Sequence, residues 1–134
     1  MKKSLLSLGL LLLCGMLSAQ TLTLEVKGIQ QVSGNLMIAV FDSPESFLQK
    51  PCFVKKVAVN DSILCVVCEG LPYGRYALTL FHDANLNNSL DLAESGIPME
   101  RYAFSNNPKL YGKPEFAHCA FDFTSNLTLT LQLK

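Results

Sequence analysis

Short runs in which every second residue is apolar recur from Thr21 onward. That period limits the fold more than any other feature. In TLTLEVK, Leu22, Leu24 and Val26 alternate with Thr21, Thr23, Glu25 and Lys27. In LTLTLQLK, Leu127, Leu129, Leu131 and Leu133 do the same. Alternate side chains of an extended chain point to opposite faces, so each run reads as a strand with one buried face. LMIAVFD, CFVKKVAVN, SILCVVCEGL, RYALTLFHD and FAHCAFDF read as further strands. In RYALTLFHD, Tyr76, Leu78 and Leu80 fall on one face and Ala77, Thr79 and Phe81 on the other.

Turn residues separate these runs. Ser33-Gly34-Asn35, Pro72 to Gly74 and the TSN of 124–126 are turn chemistry. Asn60-Asp61 is a hairpin signal between the third and fourth runs. SPESFLQKP reads as a loop or a short helix opened by Ser43 and Pro44. About seven strands with turns every ten residues or so predict an all-β fold, an antiparallel Greek-key β-sandwich of immunoglobulin-like type. The stretch from Ala84 to Pro114 is the exception. Connections this long are functional or disordered in most domains. Ile97, Pro98, Tyr102, Phe104, Leu110 and Tyr111 are spread along it, which predicts an ordered connection packed across the sandwich.

The first twenty residues carry a different signal. Lys2 and Lys3 precede an apolar run, Leu5 to Leu17, and then the small residues Ser18 and Ala19. This is the layout of a secretory signal peptide, cut near Ala19 or Gln20. The run is 13 residues long, short of the roughly 20 that a membrane span needs. Cys14 follows three leucines, not the small residues of a lipidation site. The expected organisation is therefore a signal peptide over 1–20 and one domain over 21–134, exported to the periplasm or beyond. Losing Lys2 and Lys3 from eleven basic residues leaves nine against eleven acidic ones, a net charge of −2. That is too little positive field for a nucleic-acid binder. The part after the leader has no second apolar run long enough for a membrane span.

Cys52, Cys65, Cys68 and Cys119 remain after the leader. Export permits disulfides, and four cysteines allow three complete pairings, among which the sequence does not choose. Cys65 and Cys68 form C-V-V-C inside a β-rich run. Residues i and i+3 of a strand face opposite sides, so a structural role is expected over redox or zinc chemistry.

The segment HDANLNNSLDLAE, 82–94, carries the clearest chemical pattern. Counting from Asp83, oxygen-bearing side chains fall at positions 1, 3, 5, 7, 9 and 12: Asp83, Asn85, Asn87, Ser89, Asp91 and Glu94. The calcium-loop pattern has oxygen donors at these positions. Ser89 would contribute its backbone carbonyl, and Glu100 is a reserve ligand if the G-I-P-x-E segment folds back. Leu90, at position 8, is expected to pin the loop to the core. Position 6 is Asn88 in place of glycine. It needs a left-handed backbone, which asparagine tolerates. A strand precedes the loop, so it is not an ordinary EF-hand. Two alternatives stay open: Asx-turns that satisfy the loop without an ion, and a different cation such as magnesium.

Enzymatic signals are thin. His82 and His118 are the two histidines, and there is no G-x-S-x-G motif. A hydrolase using carboxylates and His82 near the loop is the competing function, and no catalytic residue is assigned. Asn60, Asn87 and Asn126 head glycosylation patterns that polar turns also produce by chance.

Three segments carry a family likeness. GLPYGRYALTLFHDANLNNSLD, GIPMERYAFSNN and KPEFAHCAFDF resemble the bacterial domain-of-unknown-function family 2141 from about Gly34 to the C-terminus. The family reads H-D-x-N-x-N-G-x-x-D, then G-I-P-x-E-x-Y-x-F-S-N-N. Here Asn88 replaces the loop glycine, and Ala103 replaces a glycine before Phe104. The resemblance implies a small exported bacterial protein, often from Bacteroidetes, without an established activity. The LPYGRYAL segment is also similar to transthyretin-like and carboxypeptidase regulatory-type β-sandwiches, which act as binding or accessory modules. The expectation is a non-enzymatic module with calcium as its one candidate cofactor. Its partner would be an unidentified protein or glycan of the cell envelope.

Overall fold

The computed structural model describes residues 20–134. The expected leader and its cleavage point fall almost wholly outside the described residues. Eight strands form: β1 (Thr21–Lys27), β2 (Asn35–Phe41), β3 (Phe53–Ala58), β4 (Leu64–Glu69), β5 (Gly74–Asp83), β6 (Tyr102–Phe104), β7 (Phe121–Phe123) and β8 (Leu127–Gln132). A single-turn helix, α1 (Phe116–Cys119), precedes β7.

The strands build two sheets, as the alternation predicts. One has the order β4-β1-β8. The other has the order β3-β2-β5, and the free edge of β5 is shared by β6 along Thr79–Phe81 and by β7 along Gly74–Tyr76. Leu22, Leu24 and Val26 of β1 face Leu36, Ile38 and Val40 of β2 and Leu78 and Leu80 of β5 in one core, all at most 2% exposed. Each such side chain stabilises the fold by roughly 1.5–3 kcal/mol. The period-two pattern arises because only one face of each strand meets the opposite sheet.

Three details depart from expectation. The described residues form eight strands, and among them β1 pairs with β8 in parallel, although every other pair is antiparallel. The Asn60-Asp61 turn does not close a hairpin. β3 pairs with β2, β4 pairs with β1, and the connection crosses from one sheet to the other. Val59 and Leu64 are buried at either end of that crossing, so the turn bends around the core edge. FAHCAFDF is not one strand: its first half is α1. Phe116 and Cys119 lie three residues apart, which puts both on one helix face. They are buried there with Phe41, Phe47 and Ala77 in a second, smaller core.

The cysteines follow the strand pattern. Cys65 is exposed and Cys68 buried, and all four described cysteines are free thiols. No described helix is long and apolar enough to cross a membrane.

The long connection is tied down by hydrogen bonds more than by its apolar residues, since Ile97 and Tyr111, expected to pack, are exposed. The side-chain amide of Asn107 pairs with the free edge of β8, donating to the Thr130 carbonyl at 2.9 Å and accepting from the Gln132 N–H at 2.9 Å. Tyr102 and Lys134 exchange backbone hydrogen bonds. These contacts tie the edge of one sheet to β8 of the other.

Candidate functional site

β5 carries the chain from the core into the loop. Its inward residues are Tyr76, Leu78, Leu80 and His82, and its outward residues include Thr79, Phe81 and Asp83. Asp83 therefore points away from the core, yet it is 0% exposed. The reason is local: residues 84–91 fold back over it. Asp83 Oδ1 accepts the N–H of Asn87 at 3.2 Å, and Oδ2 accepts the N–H of Asn88 at 2.9 Å. Both bonds need a tight reversal. Leu86 (φ +60°) and Asn88 (φ +63°) supply it by adopting the left-handed region. Asn88 thus takes the backbone expected of the glycine it replaces.

The other ligand positions divide. Asp91 accepts the side-chain N–H of Asn85 at 2.7 Å and that of Asn87 at 2.7 Å. Asn87 Oδ1 accepts the Ser89 N–H at 3.0 Å. Asp83, Asn85, Asn87, Ser89 and Asp91 are therefore brought together. Glu94 is not. It is exposed, in the turn of a small hairpin closed by Leu92 and Pro98, and it joins no hydrogen bond of the loop.

Glu100 stands in the network instead. Its Oε2 accepts the Ala84 N–H at 3.2 Å, and its Oε1 accepts the Asp91 N–H at 3.2 Å. One carboxylate thereby clamps both ends of the loop. The hairpin over 91–99 returns the chain so that Glu100 follows it directly, with the Met99 N–H donating to the Asp91 carbonyl at 2.7 Å. Leu90 does not pin the loop to the core. It is half-buried and lines a surface groove beside the loop.

Two positioning residues carry no motif signal. Lys56 of β3 donates to Asn88 Oδ1 at 2.7 Å. Gly34 has φ +69° and lies so close to Asp83 that a side chain there would strike the Asp83 carbonyl oxygen. The pairing of β2 with β5, Asn35 opposite Asp83, and of β3 with β2, Lys56 opposite Met37, brings these residues to the loop.

Negative charge predominates, with the Lys56 ammonium on Asn88 the cation at the loop's edge. Asp83, Asp91 and Glu100 bring three carboxylates to the loop, and none is in an ion pair among the described residues. They are held by N–H donors. No group of three His, Cys, Asp or Glu converges among the described residues to form a metal cluster by itself. An ion here would need amide and carbonyl oxygens as well. His82 takes no part. It is 4% exposed, and its Nε2–H donates to the Ser33 carbonyl at 2.6 Å.

The comparisons agree with the motif likeness. A family model described as an uncharacterized protein conserved in bacteria, DUF2141, matches residues 24–130. No curated protein and no solved structure matches the chain.

Proposed function

This chain belongs to the DUF2141 family of bacterial proteins, and we propose that it is an exported, non-enzymatic binding or accessory module whose loop over 83–100 holds a hard divalent cation of calcium type. The observation that carries this reading is Asp83: a carboxylate fully removed from water, in a loop that also carries Asp91 and Glu100, with no cationic side chain paired to any of the three. Burying negative charge without a counter-charge is costly, and two backbone N–H bonds offset only part of that.

The donor set suits such an ion, being made of oxygens alone. Carboxylates of Asp83, Asp91 and Glu100, amide oxygens of Asn85 and Asn87, and the Ser89 carbonyl would hold it. Asn85 and Asn87 now turn their NH2 groups toward Asp91. A half-turn of each amide would present oxygens in their place, giving up the bonds that Asn85 Oδ1 and Asn87 Oδ1 accept from the Asn87 and Ser89 N–H groups. The bound ion would supply charge, offsetting carboxylate repulsion and stiffening the connection that ties the sheets together. The partner would be an envelope protein or glycan. The non-enzymatic reading is preferred to a hydrolase built on His82 because that ring is enclosed and donates to the Ser33 carbonyl.

Thermal unfolding of the purified protein in millimolar calcium and in chelator tests the ion. A site present only in the folded state stabilises it by about 2.7 kcal/mol at a hundred times its dissociation constant. The midpoint should rise with calcium and return with chelator. A midpoint that calcium and chelator leave unchanged removes the ion from the proposal.

A further inference from the structure

A groove of about 700 Å³ opens beside the loop. Leu90, Ile97 and Pro98 of the loop and hairpin line one part, Tyr102 and Phe104 of β6 another, and Leu110 of the segment 110–114 a third. Large apolar side chains stand exposed around it. Tyr111, between the lining residues Leu110 and Gly112, is 93% exposed, and Ile97 is 63% exposed. Leu48, also on the lining, is 40% exposed. Leu92 shares the cross-strand position of Pro98 and is 54% exposed. A concave apolar surface and a protruding aromatic thus lie side by side on one face.

That juxtaposition is what a twofold interface requires. In such an interface one patch meets its own copy, so a knob and a hole must both belong to it. The area is in the right range. Tyr111, Ile97, Leu92 and Leu48, weighted by their exposure, offer roughly 400–500 Å² of apolar surface, more than half of the roughly 800 Å² per partner of a stable dimer. The charges are complementary as well. Glu94 stands beside Ser95 on the hairpin wall, and Lys113 stands on the wall formed by 110–114. Both are exposed, and neither is in an ion pair among the described residues. A twofold axis along the groove sets each wall against the other wall of the second copy, opposing these charges.

We propose that this face is a self-association surface: two copies pack groove to groove, each placing Tyr111 in the groove of the other and Lys113 against Glu94 of the partner subunit. Apolar contact at Tyr111 and Ile97 drives the association. The charge pair fixes its register. The apolar contacts themselves involve no carboxylate of the loop, although the lining residue Leu90 adjoins Asp91.

Sedimentation equilibrium of the purified protein tests this. The protein should dimerise with a dissociation constant of about 10 μM or tighter. Tyr111→Ser and Ile97→Asp should each weaken it at least about tenfold, with the thermal midpoint of the monomer unchanged because both side chains are exposed. Lys113→Glu should weaken it too, and the double exchange Lys113→Glu with Glu94→Lys should restore it. A protein that stays monomeric up to about 1 mM overturns the proposal. So does a dimer indifferent to Tyr111→Ser and Ile97→Asp, or a double exchange that fails to restore what Lys113→Glu removes.

Discussion

The Asp83 carboxylate accepts the backbone N–H of Asn88 at 2.9 Å, five residues along the chain. That bond gives the loop its shape. It explains why an acidic side chain on the outer face of β5 is wholly buried, and why residue 88 has φ +63°.

Asp83→Ala should lower stability by about 1–2 kcal/mol in chelator, because two backbone donors lose their acceptor while relief of the unpaired buried charge offsets part of that loss. Urea unfolding monitored by tyrosine fluorescence would measure it. A loss below about 0.5 kcal/mol, the level of an ordinary surface change, would show that the loop does not depend on this carboxylate.

At residue 88 the backbone and the side chain pull in different directions. Asn88→Ala should cost about 1–2 kcal/mol, since alanine pays the left-handed penalty in full. Asn88→Gly keeps the backbone and loses only the bond to Lys56, an exposed contact. It should fall within about 0.5 kcal/mol of the parent. Thermal midpoints in chelator would rank the three proteins, and alanine ranking level with glycine would contradict the argument.

Glu94 and Glu100 should behave differently, although the motif favours the first. Glu100→Gln should speed amide hydrogen exchange at Ala84 and Asp91, whose N–H groups its carboxylate accepts, and should abolish the calcium response. Glu94→Gln should leave both unchanged. Exchange measured residue by residue by NMR separates the two, and equal effects would undo the assignment of the clamp to Glu100.

Burial pushes the Cys119 thiol up to about 11 from an ordinary 9.0. The folded protein therefore holds that proton over a range where the unfolded chain has released it. Its contribution to stability is complete below pH 9.0 and is lost as pH rises toward 11, with a slope of at most about 1.4 kcal/mol per pH unit. Urea unfolding between pH 8 and 10.5 should show this decline, and Cys119→Ala should flatten it. Cys68, raised by burial in the same direction, adds to the slope that survives in Cys119→Ala.

Much of the architecture is legible before any coordinates. The inward faces of β1 and β8 follow from alternation, because burial on one side of a strand writes itself at every second residue; β2, apolar on both faces, and β5 show strands without naming the inward face. The opposite placement of Cys65 and Cys68 follows for the same reason. The oxygen donors of the loop are visible as a spacing, and the tolerance of asparagine for left-handed backbone accounts for Asn88. FAHC misleads because four residues are too few to distinguish one helical turn from a strand.

By itself, then, the sequence determined the buried faces of β1 and β8, where the chain turns and which residues bring oxygen to 83–94. These depend on local chemistry, on side-chain polarity and on backbone preference. Tertiary structure alone decided which strand lies beside which. Alternation states that a face is buried but says nothing about its neighbour, so the Asn60-Asp61 turn looks the same whether it closes a hairpin or crosses between sheets. It also decided that Glu100, and not Glu94, completes the loop. That choice depends on the hairpin over 91–99, whose return path brings a carboxylate sixteen residues from Ala84 within hydrogen-bonding distance of its N–H.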